Sequence, residues 1–272
     1  MLPLVILDLD GTIIGKSGQV EACIWDIVER AKDKGMRFSV CTGRPNLGVA
    51  RRVAERLGPN NPHIFQNGAH IALSSGDSIE ISGLKSSATL ELINFARTKG
   101  LVLELYTPNT LYVERRTPIS EAHAKMIGVQ AIVKDLEEVL ATEPIIRAQW
   151  VIPTEALELA LSAKPSGTQH GVATASAQPG TYFVSITKEG VSKGSAVGTL
   201  CKHLKLDKDQ AMGIGDSVGD IPMLEAVAHP RVMANSPQEL LDVYPSTPDD
   251  VDNCGAVDAI QEALEFADTS SD

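Results

Sequence analysis

The sequence predicts an α/β fold in which an inserted α+β domain interrupts a doubly wound, Rossmann-like parallel sheet. Three observations lead to this prediction. Apolar runs alternate with helical patterns near both ends of the chain, the alternation breaks down in the middle, and 272 residues are enough for one large domain or two smaller ones. We assign residues 1–81 and 188–272 to the core and residues 82–187 to the insert.

The first half of the core shows a regular β-α-β-α-β order. Leu4–Leu7 is a run of four apolar residues, as expected of a strand that is buried on both faces. Helical periodicity over 19–34 and 46–57 alternates with strands over 37–41 and 63–66. Because helices connect these strands, we expect parallel pairing with helices on the faces of the sheet.

The middle of the chain loses this alternation. A helix over 86–98 precedes two strands, over 101–106 and 110–115, and the residues between the strands predict a hairpin. The remaining predictions for the insert are a strand over 145–152, a helix over 154–163, a loop over 164–171 and a strand over 182–187. Such a mixture favours an α+β layer that is separate from the parallel sheet.

The alternation resumes after Lys188. The predicted elements are, in order, a helix over 193–205, a strand over 210–214, a helix over 222–228, a strand over 231–233, and helices over 237–243 and 255–267. The polar residues 268–272 are predicted to be disordered. The core is therefore discontinuous in the sequence.

The composition narrows the class of partner. The chain has 24 Lys and Arg against 35 Asp and Glu, a formal net charge of −11, and no basic block. This balance argues against nucleic acid and against an anionic membrane surface as the main partner. We expect a small-molecule enzyme that is a monomer or a homodimer.

The cysteines form no recognisable cluster. Cys23, Cys41, Cys201 and Cys254 are scattered, with no CxxC pair, so we expect free thiols in a reducing cytosol. The first apolar run stops at Asp8, which is too early for a signal peptide or a membrane span. These observations predict a cytoplasmic protein.

Two acids stand where the first strand ends, in the segment Asp8-Leu9-Asp10-Gly11-Thr12. Ligands of open α/β sheets bind at the carboxyl ends of the strands. Neighbouring carboxylates repel each other and are costly to desolvate, so a metal ion or a phosphoryl group would explain them. The alternative is a plain turn rich in Asp and Gly.

Three further segments place polar residues after apolar runs. Val40-Cys41-Thr42-Gly43-Arg44 ends the second strand, Val191-Ser192-Lys193-Gly194 carries a lysine before a helix, and Gly213-Ile214-Gly215-Asp216-Ser217-Val218-Gly219-Asp220 holds two more acids. In this order the four segments resemble the motifs of the haloacid dehalogenase superfamily of phosphotransferases. Gln66-Asn67-Gly68-Ala69 and the late Lys193 resemble its Cof-like, type IIB branch, and the resemblance extends to about residue 262.

The resemblance implies a role for each acid. Asp8 is expected to be the nucleophile that forms an aspartyl phosphate, and Asp10 to protonate the leaving alcohol and later activate water. Mg²⁺ is the implied cofactor, held by Asp8, the backbone carbonyl of Asp10 and Asp216, because oxygen ligands suit this ion. In the family the second acid of this motif supports the metal shell or holds the lysine, so the resemblance implies one of these roles for Asp220. Its alternative role is to cap the following helix, and both can hold together.

The resemblance also implies how the phosphoryl group is bound. Thr42 and Gly43 are expected to offer a hydroxyl and a backbone N–H to its oxygens. Lys193 would neutralise charge on the nucleophile and on the phosphate; Lys188 competes for this role but does not lead into a helix. Arg44 either reaches the substrate or holds its own loop.

Two asparagines and one glycine complete the predicted site. Asn67 either lines the substrate side of the site or forms a turn, and the same alternatives apply to Asn235, which resembles a late asparagine near the metal motif. Gly219 departs from the family, which often has Asn before the second acid of the last motif. Because both acids of the motif are present, we expect metal binding to be kept and only the anchoring of that loop to differ from the family.

Together these features predict a Mg²⁺-dependent phosphoric monoester hydrolase that acts on a phosphosugar or a phosphoglycerate derivative. The alternatives are a phosphomutase and a non-catalytic metabolite-binding scaffold; such scaffolds usually lack a catalytic acid that is present here. The core motifs offer little that recognises a sugar, so we expect the insert, as a cap, to read the rest of the substrate. Its unassigned aromatic and long polar candidates are Tyr106, Tyr112, Arg115, Arg116, His123, Arg147 and His170.

Overall fold

The computed structural model describes residues 1–174 and 178–266, so the predicted disorder of 268–272 lies outside the described residues. In chain order its strands are β1 (Leu4–Leu7), β2 (Arg37–Val40), β3 (His63–Phe65), β4 (His70–Ala72), β5 (Ser78–Ile81), β6 (Leu103–Tyr106), β7 (Leu111–Val113), β8 (Ile132–Val133), β9 (Arg147–Pro153), β10 (Thr168–Thr174), β11 (Thr181–Lys188), β12 (Ala211–Gly215) and β13 (His229–Val232). Its α-helices are α1 (Ala22–Asp33), α2 (Gly48–Leu57), α3 (Ser86–Lys99), α4 (Pro118–Met126), α5 (Leu136–Thr142), α6 (Leu157–Ser162), α7 (Lys193–Leu204), α8 (Ile221–Glu225), α9 (Gln238–Leu241) and α10 (Ala256–Glu265).

The central sheet is parallel and buried on both faces. Its strands lie in the order β13-β12-β1-β2. Val5 and Leu7 of β1 pack into an apolar cluster with α1, α2 and α10, whereas Leu4 and Ile6 pack on the other side with α7 and α8. Side chains that alternate between two helix-covered faces of a parallel sheet are typical of a doubly wound fold. The predicted fold class is confirmed.

The third predicted strand behaves differently from the prediction. β3 meets β2 through a single parallel bridge, between Cys41 and Ile64, and pairs antiparallel with β4, which pairs with β5. The chain reverses directly after β3, where Gln66, Asn67 and Gly68 all have positive φ. This tight reversal returns the chain onto β3 as a hairpin.

The segment between the two halves of the core in the sequence forms a second sheet of six strands, in the order β10-β11-β9-β6-β7-β8. One face packs on α3, α5 and α6 in a continuous apolar cluster. The predicted β6-β7 hairpin is present. The loop predicted over 164–171 is wrong from Thr168, because β10 pairs along its whole length with β11 although its mixed side chains give no strand pattern.

We call residues 86–188 of this second layer the cap and the remaining elements the core. The chain crosses between them twice, and both crossings lie together. Ser82 N–H donates to the carbonyl of Ala69 and Leu84 N–H to that of Ile145, while Ala69, Ile146 and Val191 form a small buried apolar cluster against Ile81. The cap is therefore joined to the core through one compact junction.

The cysteines correct one prediction. Cys23 of α1 and Cys254, just before α10, form a disulfide with Cα atoms 6.5 Å apart, whereas Cys41 and Cys201 are free and buried. The packing of α1 against α10 brings together two residues 231 positions apart, a proximity that spacing does not reveal. The cysteine pattern therefore no longer supports a reducing cytosol. No helix in the described part of the chain combines the length and the apolar character that a membrane span requires.

Candidate active site

The predicted site residues gather at one edge of the central sheet. Asp8 and Asp216 directly follow β1 and β12, and Thr42 lies two residues after the end of β2. The carboxyl ends of these strands meet at this edge because the strands are parallel. Lys193 opens α7, whose N-cap is Ser192. The fold thus turns four distant segments into one cluster.

A buried lysine joins two of the acids. Lys193 Nζ donates to Asp8 Oδ1 and to Asp220 Oδ1, both at 2.6 Å, and all three residues are almost fully buried. Burial would lower the pKa of Lys193, but the two carboxylates outweigh it and raise this pKa, so the lysine stays charged. Burial raises the pKa of Asp8, with Lys193 opposing and the other acids adding to the shift. Removing the lysine would leave buried charges unpaired.

Asp220 organises the loop after β12. Its Oδ2 accepts hydrogen bonds from the backbone N–H groups of Asp216 and Ser217 and from Ser217 Oγ, at 2.9 to 3.1 Å. Its carboxylate therefore reaches back into the loop, with Oδ1 on Lys193, instead of capping α8. The loop is anchored through Ser217 and Asp220, and Gly219 contributes no side chain to it.

Asp216 faces the first motif. Thr12 Oγ1 donates to Asp216 Oδ1 at 3.1 Å, and burial, followed by the charge of Asp220, raises the pKa of Asp216 to about 6. Gly11 has φ +85°, and a β-carbon there would lie 2.1 Å from Asp216 Oδ2. A glycine is required at this turn because both the conformation and the contact exclude a side chain.

The site can hold a divalent cation. One carboxylate oxygen from each of Asp8, Asp216 and Asp220 lies within 4.8 Å of the others. Counting Asp10, four acids face two cations, Lys193 and Arg44, which leaves two formal negative charges uncompensated. An oxygen-only donor set with this excess fits Mg²⁺. Since the contacts described above occupy both oxygens of Asp220, Asp8, Asp216 and the Asp10 carbonyl are the better ligands.

The side chain of Arg44 binds Asp10, the predicted acid–base residue. Its Nε and one terminal nitrogen donate to the two oxygens of Asp10 at 2.7 and 2.6 Å. Burial would lower the pKa of Arg44, but the bond to Asp10 outweighs it and the pKa is raised. Arg44 N–H also donates to Thr42 Oγ1 at 3.1 Å. The Arg44 side chain therefore pairs with the first motif, whereas its backbone N–H holds its own loop, and whether the side chain also reaches the substrate stays a prediction.

Asn67 lies beside the loop that carries Thr42 and Gly43. Its N–H donates to the carbonyl of Thr42 at 3.0 Å, and its Oδ1 is 3.0 Å from where a β-carbon on Gly43 would lie. Asn67 and the preceding Gln66 have φ of +55° and +54°, an uncommon conformation for residues with a side chain. Asn-Gly predicts a turn but does not predict that Gln66 shares this backbone strain.

Two other residues hold loops at the edge of the site. Asn235 Nδ2 donates to the carbonyl of Gly11 at 2.9 Å, and its Oδ1 accepts from Val251 N–H at 2.9 Å, so it ties the first motif to the loop before α10. Lys188, the alternative to Lys193, is exposed at the end of β11. It takes no part in the cluster of acids.

Sequence reasoning did not assign a role to Arg147, which comes from the cap. One of its terminal nitrogens donates to the carbonyl of Gly43 at 2.7 Å, and its guanidinium lies 4.2 Å from the centre of the Tyr106 ring. No local pattern signals this contact, because the two residues are 104 positions apart.

Comparison with known proteins agrees with this geometry. A family model described as haloacid dehalogenase-like hydrolase matches residues 5–260. A phosphoglycolate phosphatase of Methanopyrus kandleri is 26% identical over 269 residues, which cover 98% of this chain and 100% of that protein.

Solved structures share the fold. A haloacid dehalogenase-like hydrolase from Bacteroides thetaiotaomicron superposes with a TM-score of 0.84 at 20% identity, covering 96% of this chain and 99% of that one. A subclass IIB sugar phosphatase superposes with a TM-score of 0.75 at 18% identity, covering 95% and 98%. The resemblance predicted from the motifs is confirmed.

Proposed function

Because this chain belongs to the family of haloacid dehalogenase-like hydrolases, we propose that it hydrolyses a small phosphorylated metabolite through an aspartyl phosphate, with Mg²⁺ as cofactor. It is a phosphatase, and the proposal concerns its intermediate, its metal and its substrate. The observation that carries the proposal is the buried contact of Lys193 with Asp8, which places a fixed cation on a carboxylate at a strand end.

The first half of the reaction is assigned to Asp8. One of its oxygens is held by Lys193, and the other attacks phosphorus, forming an acyl phosphate while the bond to the leaving oxygen breaks. Lys193 offsets the charge that collects on the carboxylate and the phosphoryl group. Asp8, Asp216 and the Asp10 carbonyl would hold Mg²⁺, which would supply further neutralisation of the phosphate.

Asp10 is assigned the proton transfers. It protonates the leaving oxygen and then takes a proton from the water that hydrolyses the acyl phosphate. Because Arg44 engages both of its oxygens, Asp10 must release at least one of these hydrogen bonds before it can carry a proton. Thr42 Oγ1 accepts from Arg44 N–H, which leaves the Thr42 hydroxyl proton free to donate to a phosphoryl oxygen.

The substrate is proposed to be a phosphosugar, or a short phosphorylated acid such as a phosphoglycerate derivative. The sugar phosphatase among the similar structures and the phosphoglycolate phosphatase among the relatives support these two classes. We propose the cytoplasm as the location, because charged phosphate esters do not cross membranes unaided. The monomer or homodimer remains our expectation for its assembly.

A panel of phosphorylated metabolites, assayed for phosphate release with Mg²⁺, tests the proposal. Turnover should stop in excess chelator and return when Mg²⁺ is added. Asp8→Asn should keep the fold and lose at least about 10³-fold in kcat, because the covalent nucleophile is gone. If Asp8→Asn kept more than about a tenth of wild-type kcat, the aspartyl-phosphate mechanism would be wrong.

Two further outcomes address the alternatives. Isomerisation of a sugar monophosphate in the presence of a bisphosphorylated sugar, without net phosphate release, would identify a phosphomutase. Binding of metabolites without any turnover in Mg²⁺ would identify a scaffold. Full activity in excess chelator would contradict the assigned cofactor.

A further inference from the structure

We propose that Arg147 is a positioning residue: from the cap, it sets the geometry of the phosphate-binding loop Thr42–Arg44. The inference rests on the proposed phosphatase function. It gives the cap a part in the hydrolysis of every substrate, in addition to its expected selection among substrates.

Arg147 is buried at the surface where the cap meets the core. It is the first residue of β9, directly opposite Tyr106 of β6 in the antiparallel register, and only 5% of its surface is exposed. Its guanidinium stacks on the Tyr106 ring at 4.2 Å, and a terminal nitrogen donates to the Gly43 carbonyl at 2.7 Å. The stacked ring fixes the direction in which the donor points.

The position of Arg147 is not explained by an ion pair. Across the described residues, no carboxylate pairs with this guanidinium. The nearby Glu104 of the cap is occupied by Tyr106 Oη at 2.7 Å and His123 Nδ1 at 3.0 Å. Burying a guanidinium without an acid is costly, and the Nε of Arg147 has no hydrogen-bond partner among the described residues. The bond to the Gly43 carbonyl and the stacking on Tyr106 are therefore the contacts that hold it.

That carbonyl belongs to the peptide that orients Thr42. The Gly43–Arg44 peptide is planar, so its carbonyl and its N–H point in opposite directions. Its N–H is the donor to Thr42 Oγ1 at 3.1 Å. A bond that fixes the carbonyl therefore fixes the N–H as well, and with it the direction in which the Thr42 hydroxyl can donate.

Arg147 completes a set of three anchors. The carbonyls of Thr42 and Arg44 accept from the N–H groups of Asn67 and Gln66, both at 3.0 Å. The carbonyl of Gly43, between them, accepts from Arg147. The core thus pins the two ends of the loop and the cap pins its middle, so that cap docking is coupled to the shape of the phosphate site.

A second hydrogen bond between cap and core provides a matched control. An Arg51 terminal nitrogen donates to Asn109 Oδ1 at 3.1 Å, at an exposed position and without contact to the Thr42–Arg44 loop. Asn109→Ala removes one such hydrogen bond and leaves the anchors of the loop in place. It separates a general effect of docking from the effect of the loop anchor.

The experiment compares Arg147→Met, Arg147→Lys and Asn109→Ala on p-nitrophenyl phosphate, with orthovanadate as an inhibitor that mimics the phosphoryl group alone. Arg147→Met should lower kcat and weaken orthovanadate inhibition, each by about tenfold or more. Arg147→Lys, which keeps a donor, should recover most of both. Asn109→Ala should stay within about twofold of wild type.

Three results would overturn the inference. A change in kcat/KM for the preferred metabolite alone, with orthovanadate inhibition of Arg147→Met unchanged, would make Arg147 a residue that reads the leaving group. A loss in Asn109→Ala equal to that in Arg147→Met would assign the effect to docking in general. The third result is an Arg147→Lys variant that does not recover activity although its thermal unfolding matches wild type. If Arg147→Met does not fold, Arg147→Gln, too short to reach Gly43, takes its place with the same readouts.

The proposed function is tested separately by wild-type turnover and by Asp8→Asn. An active wild type with unchanged Arg147 variants would reject this inference alone, whereas a wild type without phosphate release would reject the proposed function.

Discussion

The core and the cap both bury charged side chains, but they compensate them differently. In the core, Lys193 is shared between Asp8 and Asp220, and acids outnumber cations around it. In the cap, the buried Glu104 is satisfied entirely by hydrogen-bond donors of the cap itself. An excess of negative charge is suited to binding a positively charged ligand. A hydrogen-bond network in which every group has a partner is suited to holding the structure in one conformation.

The cap network lies on one face of its sheet only. Glu104 accepts from Tyr106, His123 and Gln149, which come from β6, α4 and β9. The burial of Tyr106 beside this carboxylate raises the pKa of its hydroxyl, so the hydroxyl remains a donor. The polar face is thus closed by the cap's own residues, and Arg147 at its edge is the residue that extends to the core.

The largest expected difference between the core and the cap is in kcat, after substitution of one lysine in each. Lys193→Met should lower kcat by about 10³-fold, because the nucleophile and the transferring phosphate lose their fixed cation. Lys188→Met, at the exposed end of the cap strand β11, should stay within about twofold. Phosphate release by the two purified variants, with thermal unfolding as a check on the fold, measures this. A similar loss in both would show that Lys193 had been wrongly chosen.

The second expected effect is on stability, and it originates in the cap. Glu104→Ala leaves three buried donors without their acceptor and should cost about 3 kcal/mol of unfolding free energy. Glu114→Ala removes a carboxylate that pairs with Arg97 at the surface and should cost less than about 1 kcal/mol. Urea unfolding of both variants compares them. Equal costs would mean that the buried network adds nothing beyond an exposed ion pair.

The smallest effect concerns pH and the metal in the core. Asp216 has its pKa raised from 3.8 to about 6 by burial and by Asp220. In metal-free protein this group therefore stabilises the fold at low pH, and its contribution is lost as the pH rises through about 6. Mg²⁺ binds the ionised form, so the increase in Tm on adding Mg²⁺ should grow between about pH 5 and pH 7.

The control for this prediction is Asp216→Asn, which cannot ionise. Its Tm should respond less to Mg²⁺ and should lose the part of the pH dependence that comes from this carboxyl. A Mg²⁺ response in wild type that is constant across the same pH range would contradict the ligand assignment.

The sequence was most informative where chemistry is local. Strand-end acids such as Asp8, and the helix start at Lys193, lie next to elements whose periodicity is clear, and parallel strands bring such ends together by geometry alone. The same rule placed Thr42 and Asp216. It did not predict that β3, which meets β2 through a parallel bridge between Cys41 and Ile64, also pairs antiparallel with β4 after the turn that follows Phe65.

The sequence was least informative where partners are distant. The pairing of Cys23 with Cys254 and the contact of Arg147 with Gly43 arise from packing between segments far apart in the chain. The sequence analysis did not predict the helices α4 and α5, although an N-capping residue precedes each of them. Thr117 precedes Pro118 at the start of α4, and Asp135 accepts hydrogen bonds from the N–H groups of Glu137 and Glu138 at the start of α5. Such short helices depend on tertiary packing, and their apolar periods are too brief to stand out.

The shared junction at Ala69, Ile81, Ile146 and Val191 has a consequence for how this architecture can diversify. The chain enters and leaves the cap side by side, so its two covalent connections to the core lie at one junction, and the remaining contacts between cap and core are non-covalent. A cap of different length or pocket can replace it without a new path for the core chain. What an exchanged module must preserve is the contact made by Arg147, since recombination that kept the junction but lost that donor would leave the middle of the phosphate loop unsupported.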